Sequence, residues 1–301
     1  MSNDAYIFIV IPVHNRRALT RGCLESLRKQ TVKNFKVIVV DDGSTDGTSD
    51  MIRGEFPEIT LLHGDGHLWW TRATNLAVKY ALEHGAKFIM TLNNDTRALE
   101  DYVEKMIFWV ERRPRSLLGA LALDATSGRA IFGGEIINWG TGGSKFLLDT
   151  LEPSEWKGLH EVTHFPGRGL LIPAEVFSQI GLFDEKHFPH YAADYDFTHR
   201  ARKAGFRVFC NYDARILIYP DESGNAEIRK TMTIANYKKH LFDIKGGANL
   251  KVFTIYSLKN CPAWCLPWFL FRGYVQRLFG YWIDFLVEKM RGLTHKPDQT
   301  I

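Results

Sequence analysis

The sequence predicts an α/β fold, a doubly wound and mostly parallel sheet, with a C-terminal helical extension. Short apolar runs alternate with segments of helical period through the first 125 residues, which is typical of βα units with parallel strands. Polar and acidic residues follow several of these runs, where open α/β sheets bind ligands. The last quarter is aromatic and basic instead. With 301 residues, 45% of them hydrophobic, the chain can form one large domain with an appendage.

The net charge of +4 is unevenly distributed. Residues 227–301 contain 12 Lys or Arg and 5 Asp or Glu, whereas the remaining chain contains 26 and 29. A basic tail indicates an anionic partner such as a membrane surface or nucleic acid. No basic segment precedes the first apolar run, so we expect a cytoplasmic protein without a signal peptide. The cysteines are scattered and lack a nearby His, which favours reduced thiols; they are Cys23, Cys210, Cys261 and Cys265.

The first predicted strand covers residues 6–11 and ends at Pro12, which has no backbone donor to continue a ladder. Asn15 is of a type that caps helices, and it precedes a predicted helix. The apolar positions of that helix recur at intervals of four and are Leu19, Cys23 and Leu27.

A second strand is predicted at 35–40, followed by the turn sequence of residues 41–48. Its glycines permit tight turning, and its Ser, Thr and Asp residues are helix-capping types. Asp42 at the strand end can accept a hydrogen bond from the imide N–H of uracil or thymine. The alternative is an ordinary βα turn with a good cap.

A third strand is predicted at 59–62, and a loop with two glycines then leads to Trp69 and Trp70. A helix follows through Ala81. The tryptophan pair has two interpretations: core filler, or a platform on which a sugar ring or base stacks.

The buried strand at 88–92 ends in Asn93, Asn94 and Asp95. Oxygen ligands at such a position suit Mg²⁺ or Mn²⁺, which would offset the charge of a diphosphate. The alternative is an Asx turn. An amphipathic helix is predicted from Leu99 to about residue 112.

The alternation of predicted strands and helices then stops. A strand is predicted at 117–123, and residues 128–158 are rich in glycine and predicted to be irregular, which is typical of a functional or mobile loop. A helix at 173–180 and another that opens near Asp194 and Asp196 follow. A helix N-terminus keeps a carboxylate ionised, although acidic residues also serve there as ordinary caps.

The C-terminal quarter begins with a predicted polar helix at 226–242 and continues into an aromatic helix. One helical face collects apolar positions 264, 268, 271, 275, 278, 279, 282 and 286. This face either packs on the α/β domain or a second subunit, giving a homodimer, or forms a peripheral membrane contact through 262–291. Arg272, Arg277 and Asp284 interrupt the apolar run, which argues against a spanning helix. No nucleic-acid motif is present, so we expect no nucleic-acid partner.

Six motifs follow one another along the chain between about residues 6 and 220. The chain resembles the family 2 inverting glycosyltransferases of the GT-A fold, including bacterial enzymes of rhamnosyltransferase and galactofuranosyltransferase type. The motifs lie at 12–15, 39–48, 66–75, 93–95, 167–184, and 194–205. The resemblance implies a GT-A catalytic domain at 1–225, with a nucleotide-binding half at about 1–125 and an acceptor half at about 126–225. Residues 226–301 would form the amphipathic helical extension.

The resemblance also implies roles for particular residues. Asp194 would be the catalytic base, Asp42 would bind the donor's base, and Asp95 would be the ligand of an Mg²⁺ or Mn²⁺ cofactor. The other donor-binding positions would be Pro12, Val13, His14, Asn15, Arg72, Asn75, Asn93 and Asn94. The sugar or acceptor pocket would be bordered by Trp69, Trp70, Arg168, Gly169, His190, Tyr191 and Asp196.

Three positions depart from the family pattern. Ala193 stands where an acidic residue usually precedes the base, and Asn93 replaces the first Asp of the metal motif. No His follows the strand near residue 218, where Asp221 is the candidate substitute as a metal ligand.

The expected function is inverting transfer of a sugar from a UDP- or dTDP-sugar to a hydroxyl of a glycan or lipid-linked acceptor in bacterial surface polysaccharide synthesis. The enzyme would be cytoplasmic, or peripheral on the inner face of the membrane. One alternative is an inactive relative that binds sugars or acts as a scaffold. Another is a sugar nucleotidyltransferase, but this needs a Gly-rich basic loop where residues 12–15 stand.

Overall fold

The computed structural model describes residues 7–220 and 233–294, with side chains up to Ile283. The chain divides into two compact units. The first unit runs to Pro220 without residues 139–142, and the second contains those four residues and the chain after Pro220. The predicted domain boundary at residue 225 lies outside the described residues.

The strands are β1 Ile7–Val13, β2 Phe35–Asp41, β3 Thr60–His63, β4 Phe88–Thr91, β5 Thr96–Ala98, β6 Ser116–Asp124, β7 Ala130–Phe132, β8 Glu135–Asn138, β9 Gly143–Phe146, β10 Leu159–Glu161, β11 Leu170–Pro173 and β12 Arg207–Ile218. The helices are α1 Arg17–Arg28, α2 Thr48–Glu55, α3 Trp69–Glu83, α4 Tyr102–Arg112, α5 Ala174–Ile180, α6 Ala193–Lys203, α7 Ile234–Phe242, α8 Leu250–Asn260 and α9 Leu266–Thr294.

One large sheet of the first unit has the order β10-β12-β6-β11-β4-β1-β2-β3, with β5 on β12 and β7 on β6. The α/β fold class is confirmed, and β3, β2, β1 and β4 run parallel as predicted. The other half of the sheet is mixed, because β11 is antiparallel to both β4 and β6. Val13 lies opposite Asp41, and Val10 lies opposite Thr91. The loops that follow β1, β2 and β4 therefore meet at one edge of the sheet.

Strand β1 lies at the centre of the parallel half, and its residues from Ile7 to Ile11 are almost completely buried. Pro12 lies inside this strand, not after it. The bond from the Leu92 N–H to the Val10 carbonyl is 3.0 Å long, and Pro12, two residues further along, has no N–H to continue the ladder. This explains why β4 parts from β1 at that point and opens a space at the sheet edge.

The prediction that Asn15 caps α1 is wrong. Asn15 and Arg16 both adopt left-handed backbone angles, with φ of 58° and 65°, and no side chain caps at Arg16. Instead, the N–H of Arg17 donates to Asp46 from the next βα loop, at 2.8 Å. The predicted apolar side of the helix is correct, since Cys23 and Leu27 are buried.

The glycine-rich stretch at 128–158 is more ordered than predicted. It contains β7, which extends the large sheet, and the β8–β9 hairpin, which forms a sheet of its own. The glycines at 134 and 142 have φ of 102° and 69°, angles that L side chains rarely adopt, so they permit the turns that these short strands need. The prediction of irregular structure is wrong for these strands.

The described part of the second unit is helical. Helix α7 covers the end of the predicted polar helix, whose first residues lie outside the described part of the chain, and α8 was not predicted. Helix α9 packs on α8, where a Cβ at Gly273 would lie 2.0 Å from the Phe253 ring. The Tyr237 hydroxyl of α7 donates to the Leu278 carbonyl at 2.8 Å. Within the described residues, every helix is too short or too polar to cross a lipid bilayer.

Candidate active site

The loops after β1 and β2 are joined by hydrogen bonds at the sheet edge. The Asn15 N–H donates to Ser44 Oγ at 2.7 Å, and the Thr45 N–H donates to Asn15 Oδ1 at 2.9 Å. His14 Nδ1 lies 2.6 Å from the Asp42 carbonyl oxygen. Pro12 and Asn15 are partly exposed and His14 is exposed, whereas Val13 is buried. The predicted nucleotide-pocket segment is thus tied to the loop after β2, and the Val13 carbonyl accepts from the Asp42 N–H at 2.8 Å.

Asp42 is buried and holds the start of α3. Its carboxylate accepts from the N–H groups of Gly66 at 2.8 Å, Leu68 at 2.9 Å and Trp69 at 3.1 Å. A negative charge at a helix N-terminus is stabilised by the helix dipole and by these otherwise unpaired donors. A Cβ at Gly64 would lie 2.4 Å from Asp42 Oδ1, so the loop can close only with glycine there. The carboxylate thereby fixes the position of the tryptophan pair.

The two tryptophans are partly buried and point to different neighbours. Trp70 donates from its indole N–H to Asn93 Oδ1 at 3.0 Å and meets the Phe183 ring edge-on at 5.5 Å. Trp69 lies edge-on to His190 at 6.0 Å between ring centroids. Trp70 is therefore a link between loops, and Trp69 lies beside the predicted acceptor residues His190 and Tyr191, whose rings are 4.6 Å apart.

The three polar residues that follow β4, at positions 93–95, differ in burial and in their contacts. Asn94 is buried and donates to Thr20 Oγ1 of α1 at 3.0 Å, so its side chain links this turn to α1. Asn93 and Asp95 are partly exposed at the sheet edge. Asp95 Oδ2 lies 3.5 Å from Arg16 Nη1. A positive charge thus stands beside the only carboxylate of the motif.

Asn75 and Asp196, predicted to contact the donor and the acceptor, both make hydrogen bonds within the protein. Asn75 is buried, donates to the Phe183 carbonyl at 2.9 Å and accepts from the Phe183 N–H at 3.1 Å. Asp196 is fully buried and pairs with Arg200 at 2.8 Å. The Asn75 bonds tie α3 to the segment that precedes Asp194, and Arg200, held by Asp196, ties α6 to it by donating to the Ile180 and Leu182 carbonyls at 2.6 and 2.8 Å.

Asp194 lies in the first turn of α6 and is partly buried. Its Oδ2 accepts from the Gly167 N–H at 2.8 Å and its Oδ1 from the Tyr195 N–H at 2.9 Å. Burial raises the pKa of this carboxyl, and the two backbone donors and the charge of Arg168 partly offset the effect. A carboxylate with a raised pKa is a stronger base, which suits removal of a proton from a hydroxyl group.

Gly167, Arg168 and Gly169 connect Asp194 to the centre of the sheet. The Gly169 N–H donates to the Thr91 carbonyl at 2.8 Å, with φ of 75°. Arg168 is partly buried, and its guanidinium lies 5.7 Å from the centre of the Phe132 ring. A Cβ at Gly167 would lie 2.3 Å from Trp70 Cζ2, so the Trp70 indole rests on the backbone that holds Asp194.

Asp95 fits one common mode of magnesium binding. Among the described residues no three His, Cys, Asp or Glu side chains gather as a metal cluster, and the candidate ligand Asp221 lies outside them. Mg²⁺ is often held by one or two carboxylates together with substrate phosphates. Asp95 at the sheet edge meets that requirement only with a diphosphate present.

Two contributors were missed in the sequence. Arg16 follows the predicted pocket segment directly, and its basic side chain at a strand end was a readable signal for an anionic ligand. Gly167 acts through its backbone N–H, for which the residue type gives no signal. Arg72 is exposed in the first turn of α3.

The glycosyl transferase family 2 model matches residues 8–148. A Rickettsia typhi protein named as an uncharacterized glycosyltransferase is 29% identical over 63% of this chain and 56% of its own. Succinoglycan biosynthesis protein ExoA of Rhizobium meliloti is 26% identical over 70% of this chain and 62% of its own. The chain thus spans less than two thirds of both relatives.

Solved structures share the fold at low sequence identity. S. aureus TarS 1–349 in complex with UDP-GlcNAc superimposes with a TM-score of 0.58 and 15% identity, covering 91% of this chain and 72% of that one. GalNAc-T7 with UDP, GalNAc and Mn²⁺ gives a TM-score of 0.57 and 12% identity, over 85% and 52%. The first unit therefore has the GT-A fold.

Proposed function

We propose that this chain, whose residues 8–148 match the glycosyl transferase family 2 model, is an inverting hexosyltransferase of that family. The donor is a UDP- or dTDP-sugar, and the acceptor is a hydroxyl of a glycan or lipid-linked precursor of a bacterial surface polysaccharide. The observation that carries the proposal is the placement of Asp194, a partly buried carboxylate with a raised pKa, held by two backbone donors at a helix N-terminus. The reaction would take place in the cytoplasm, either in solution or at the inner face of the membrane.

The nucleotide belongs to the loops after β1 and β2. The bonded rim of His14, Asn15 and Ser44 would line the base and ribose. Asp42 has one lone pair of Oδ1 left after its three backbone bonds, and it would accept the imide N–H that uracil and thymine share. Support for a uridine nucleotide comes from the UDP-GlcNAc complex of TarS and the UDP complex of GalNAc-T7.

The diphosphate belongs beside Asp95 and Arg16, whose side chains lie 3.5 Å apart. Arg16 would donate hydrogen bonds to the phosphate oxygens and stabilise the negative charge that grows on the leaving group. Asp95 would hold a divalent cation, which supplies further charge neutralisation when bound. Arg72, exposed at the start of α3, would extend this positive surface toward the donor.

The acceptor belongs between Asp194 and the residues around Trp69, His190 and Tyr191. Asp194 takes the proton of the acceptor hydroxyl, whose oxygen attacks the anomeric carbon. The bond from that carbon to the diphosphate oxygen breaks, and the nucleoside diphosphate leaves with the electron pair. One displacement inverts the anomeric configuration and needs no second carboxylate. ExoA, named for succinoglycan biosynthesis, supports a polysaccharide acceptor.

The test measures nucleotide binding and turnover for the full chain and for a variant of Asp194. We expect UDP or dTDP to raise the melting temperature of the full chain, because a ligand specific to the folded state adds about 2.7 kcal/mol at a hundredfold excess over Kd. Asp194→Asn should keep this shift and reduce nucleoside diphosphate release from the sugar donor by about 10² to 10⁴-fold.

The matched control is Asp101→Asn, which changes an Asp at the N-terminus of α4 that makes no capping bond, and it should leave turnover unchanged. Full activity of Asp194→Asn would refute the assignment of the base. Absence of a shift with every nucleotide would favour an inactive, sugar-binding relative.

A further inference from the structure

The second unit exposes an apolar surface along α9. Six large side chains on this helix and the turn before it are 41–78% exposed; they are Trp264, Trp268, Phe271, Val275, Phe279 and Ile283. We call them the outer face. From Trp268 to Phe279 they recur at intervals of three or four residues, which places them on one side of the helix. Five of the six belong to the face that the sequence predicted to be apolar, and Ile283 is the exception.

The outer face is not needed to pack the second unit. The opposite side of α9 is buried, with Phe269 against Phe253 at 5.7 Å and Tyr281 against Tyr237 at 5.3 Å between ring centroids. Surface helices of globular proteins have one apolar stripe, and a helix that is apolar on two sides has a partner on each.

Exposed apolar side chains are concentrated in this unit. Of the thirteen large hydrophobic side chains that are exposed in the described part of the chain, nine lie between residues 233 and 283. Single exposed hydrophobic residues need no explanation, but a continuous patch marks an interaction site.

Positive charge prevails in the second unit, where residues 221–301 contain 12 Lys or Arg and 7 Asp or Glu, and this favours an anionic partner for the outer face. Between residues 233 and 283 the chain has seven Lys or Arg and one Asp. Five of these bases are exposed lysines: Lys238, Lys239, Lys245, Lys251 and Lys259. A second copy would bring the same excess of positive charge to the contact, whereas the cytoplasmic leaflet of a membrane is negative and attracts basic segments.

We propose that the outer face binds to the surface of an anionic lipid membrane, with α9 lying in the plane of the interface. The 29 residues of α9 correspond to a length of about 43 Å. The Trp264 and Trp268 rings would lie at the depth of the headgroups, where amphipathic rings are enriched, while the lysines face the lipid phosphates. This attachment does not depend on the proposed reaction and is measured without substrate.

The test is co-sedimentation of the full chain with vesicles in which about a third of the lipid is phosphatidylglycerol, a composition that gives a negative surface potential. We expect binding that weakens on neutral phosphatidylcholine and in about 0.5 M salt, which screens surface charge. The double variant Trp268→Ser with Phe271→Ser should lose at least about tenfold in binding, given the apolar area removed. The double variant Lys238→Gln with Lys239→Gln should bind the anionic vesicles more weakly, by about fivefold for each lysine removed.

The control is Phe108→Ser, which removes an exposed aromatic residue from α4 of the first unit and should bind as well as the parent. Circular dichroism and the melting temperature confirm that each variant is folded. No binding of the parent chain to the anionic vesicles would refute the proposal. It would also be refuted if Phe108→Ser reduced vesicle binding as much as the tryptophan–phenylalanine variant does. A dimer of the parent that becomes a monomer in the tryptophan–phenylalanine variant would assign the outer face to a second copy instead.

Discussion

Replacement of Gly167 by alanine tests whether Trp70 positions the base Asp194. The new Cβ would lie 2.3 Å from Trp70 Cζ2 and 2.5 Å from Cη2, far inside van der Waals contact. Trp70 cannot easily retreat, because its N–H is bonded to Asn93 and its ring meets Phe183. We therefore expect the backbone at residue 167 to move and the bond from its N–H to Asp194 Oδ2, now 2.8 Å long, to weaken or break.

The size of the effect follows from that bond. A hydrogen bond to a charged group contributes about 1.5–3 kcal/mol, and one pKa unit corresponds to about 1.4 kcal/mol. The bond favours the ionised form, so its loss raises the pKa of Asp194 further, by about one to two units. The base acts when ionised. The acid limb of the pH profile of kcat/KM should therefore move to higher pH by that amount in Gly167→Ala.

The double variant with Trp70→Phe separates this mechanism from general damage. Phenylalanine lacks the part of the indole ring that the new Cβ would meet, so the pH profile of Gly167→Ala with Trp70→Phe should return toward that of Trp70→Phe alone. Gly54→Ala is the control, since a Cβ at that position in α2 meets nothing within 4 Å. Additive effects in the double variant, or an unshifted pH profile in Gly167→Ala, would refute the link between Trp70 and Asp194.

Two further outcomes are expected. Arg16→Gln should lower kcat about 10²-fold or more with little change in the melting-temperature shift produced by uridine alone, because the lost contact is with the diphosphate; an equal loss of uridine binding would contradict this. Glu135→Gln should lower the free energy of unfolding by about 1–3 kcal/mol at neutral pH, measured by urea denaturation. Burial alone would raise the pKa of Glu135, but the bond from His164 brings it below its usual range. The stabilisation is therefore present above the ordinary pKa of Glu and is lost as the pH falls through the lowered value, and an unfolding difference that is constant with pH would contradict it.

The sequence predicted the parallel half of the fold because its signals are local. Apolar runs such as Ile7–Ile11 end in polar loops, and each such ending marks a strand whatever the rest of the chain does. The short strands β7, β8 and β9 have three or four residues each and pair through turns that depend on glycine. Their apolar content is too small to stand out from loop sequence, so the hairpin was visible only in the structure.

The position of the candidate site could be predicted from the sequence. Which of its side chains point into the protein and which face the sheet edge could not. Asn93, Asn94 and Asp95 have similar side chains and adjacent positions, yet Asn94 bonds inward to Thr20 while Asp95 faces Arg16. These residues lie in the turn between β4 and β5, and the backbone of that turn, which a motif does not contain, decides which side chain turns inward.

Three buried polar residues of the motifs support the loops of the site from inside the protein. A buried amide or carboxylate must have its hydrogen bonds made inside the protein. Accordingly, Asn75 bonds to Phe183, Asn94 to Thr20, and Asp196 to Arg200. Asp42 fixes the loop before Trp70, Trp70 rests on Gly167, and Gly167 holds Asp194. Donor and acceptor sides are thereby joined by contacts within the first unit, so a change near the nucleotide should alter the base through Trp70.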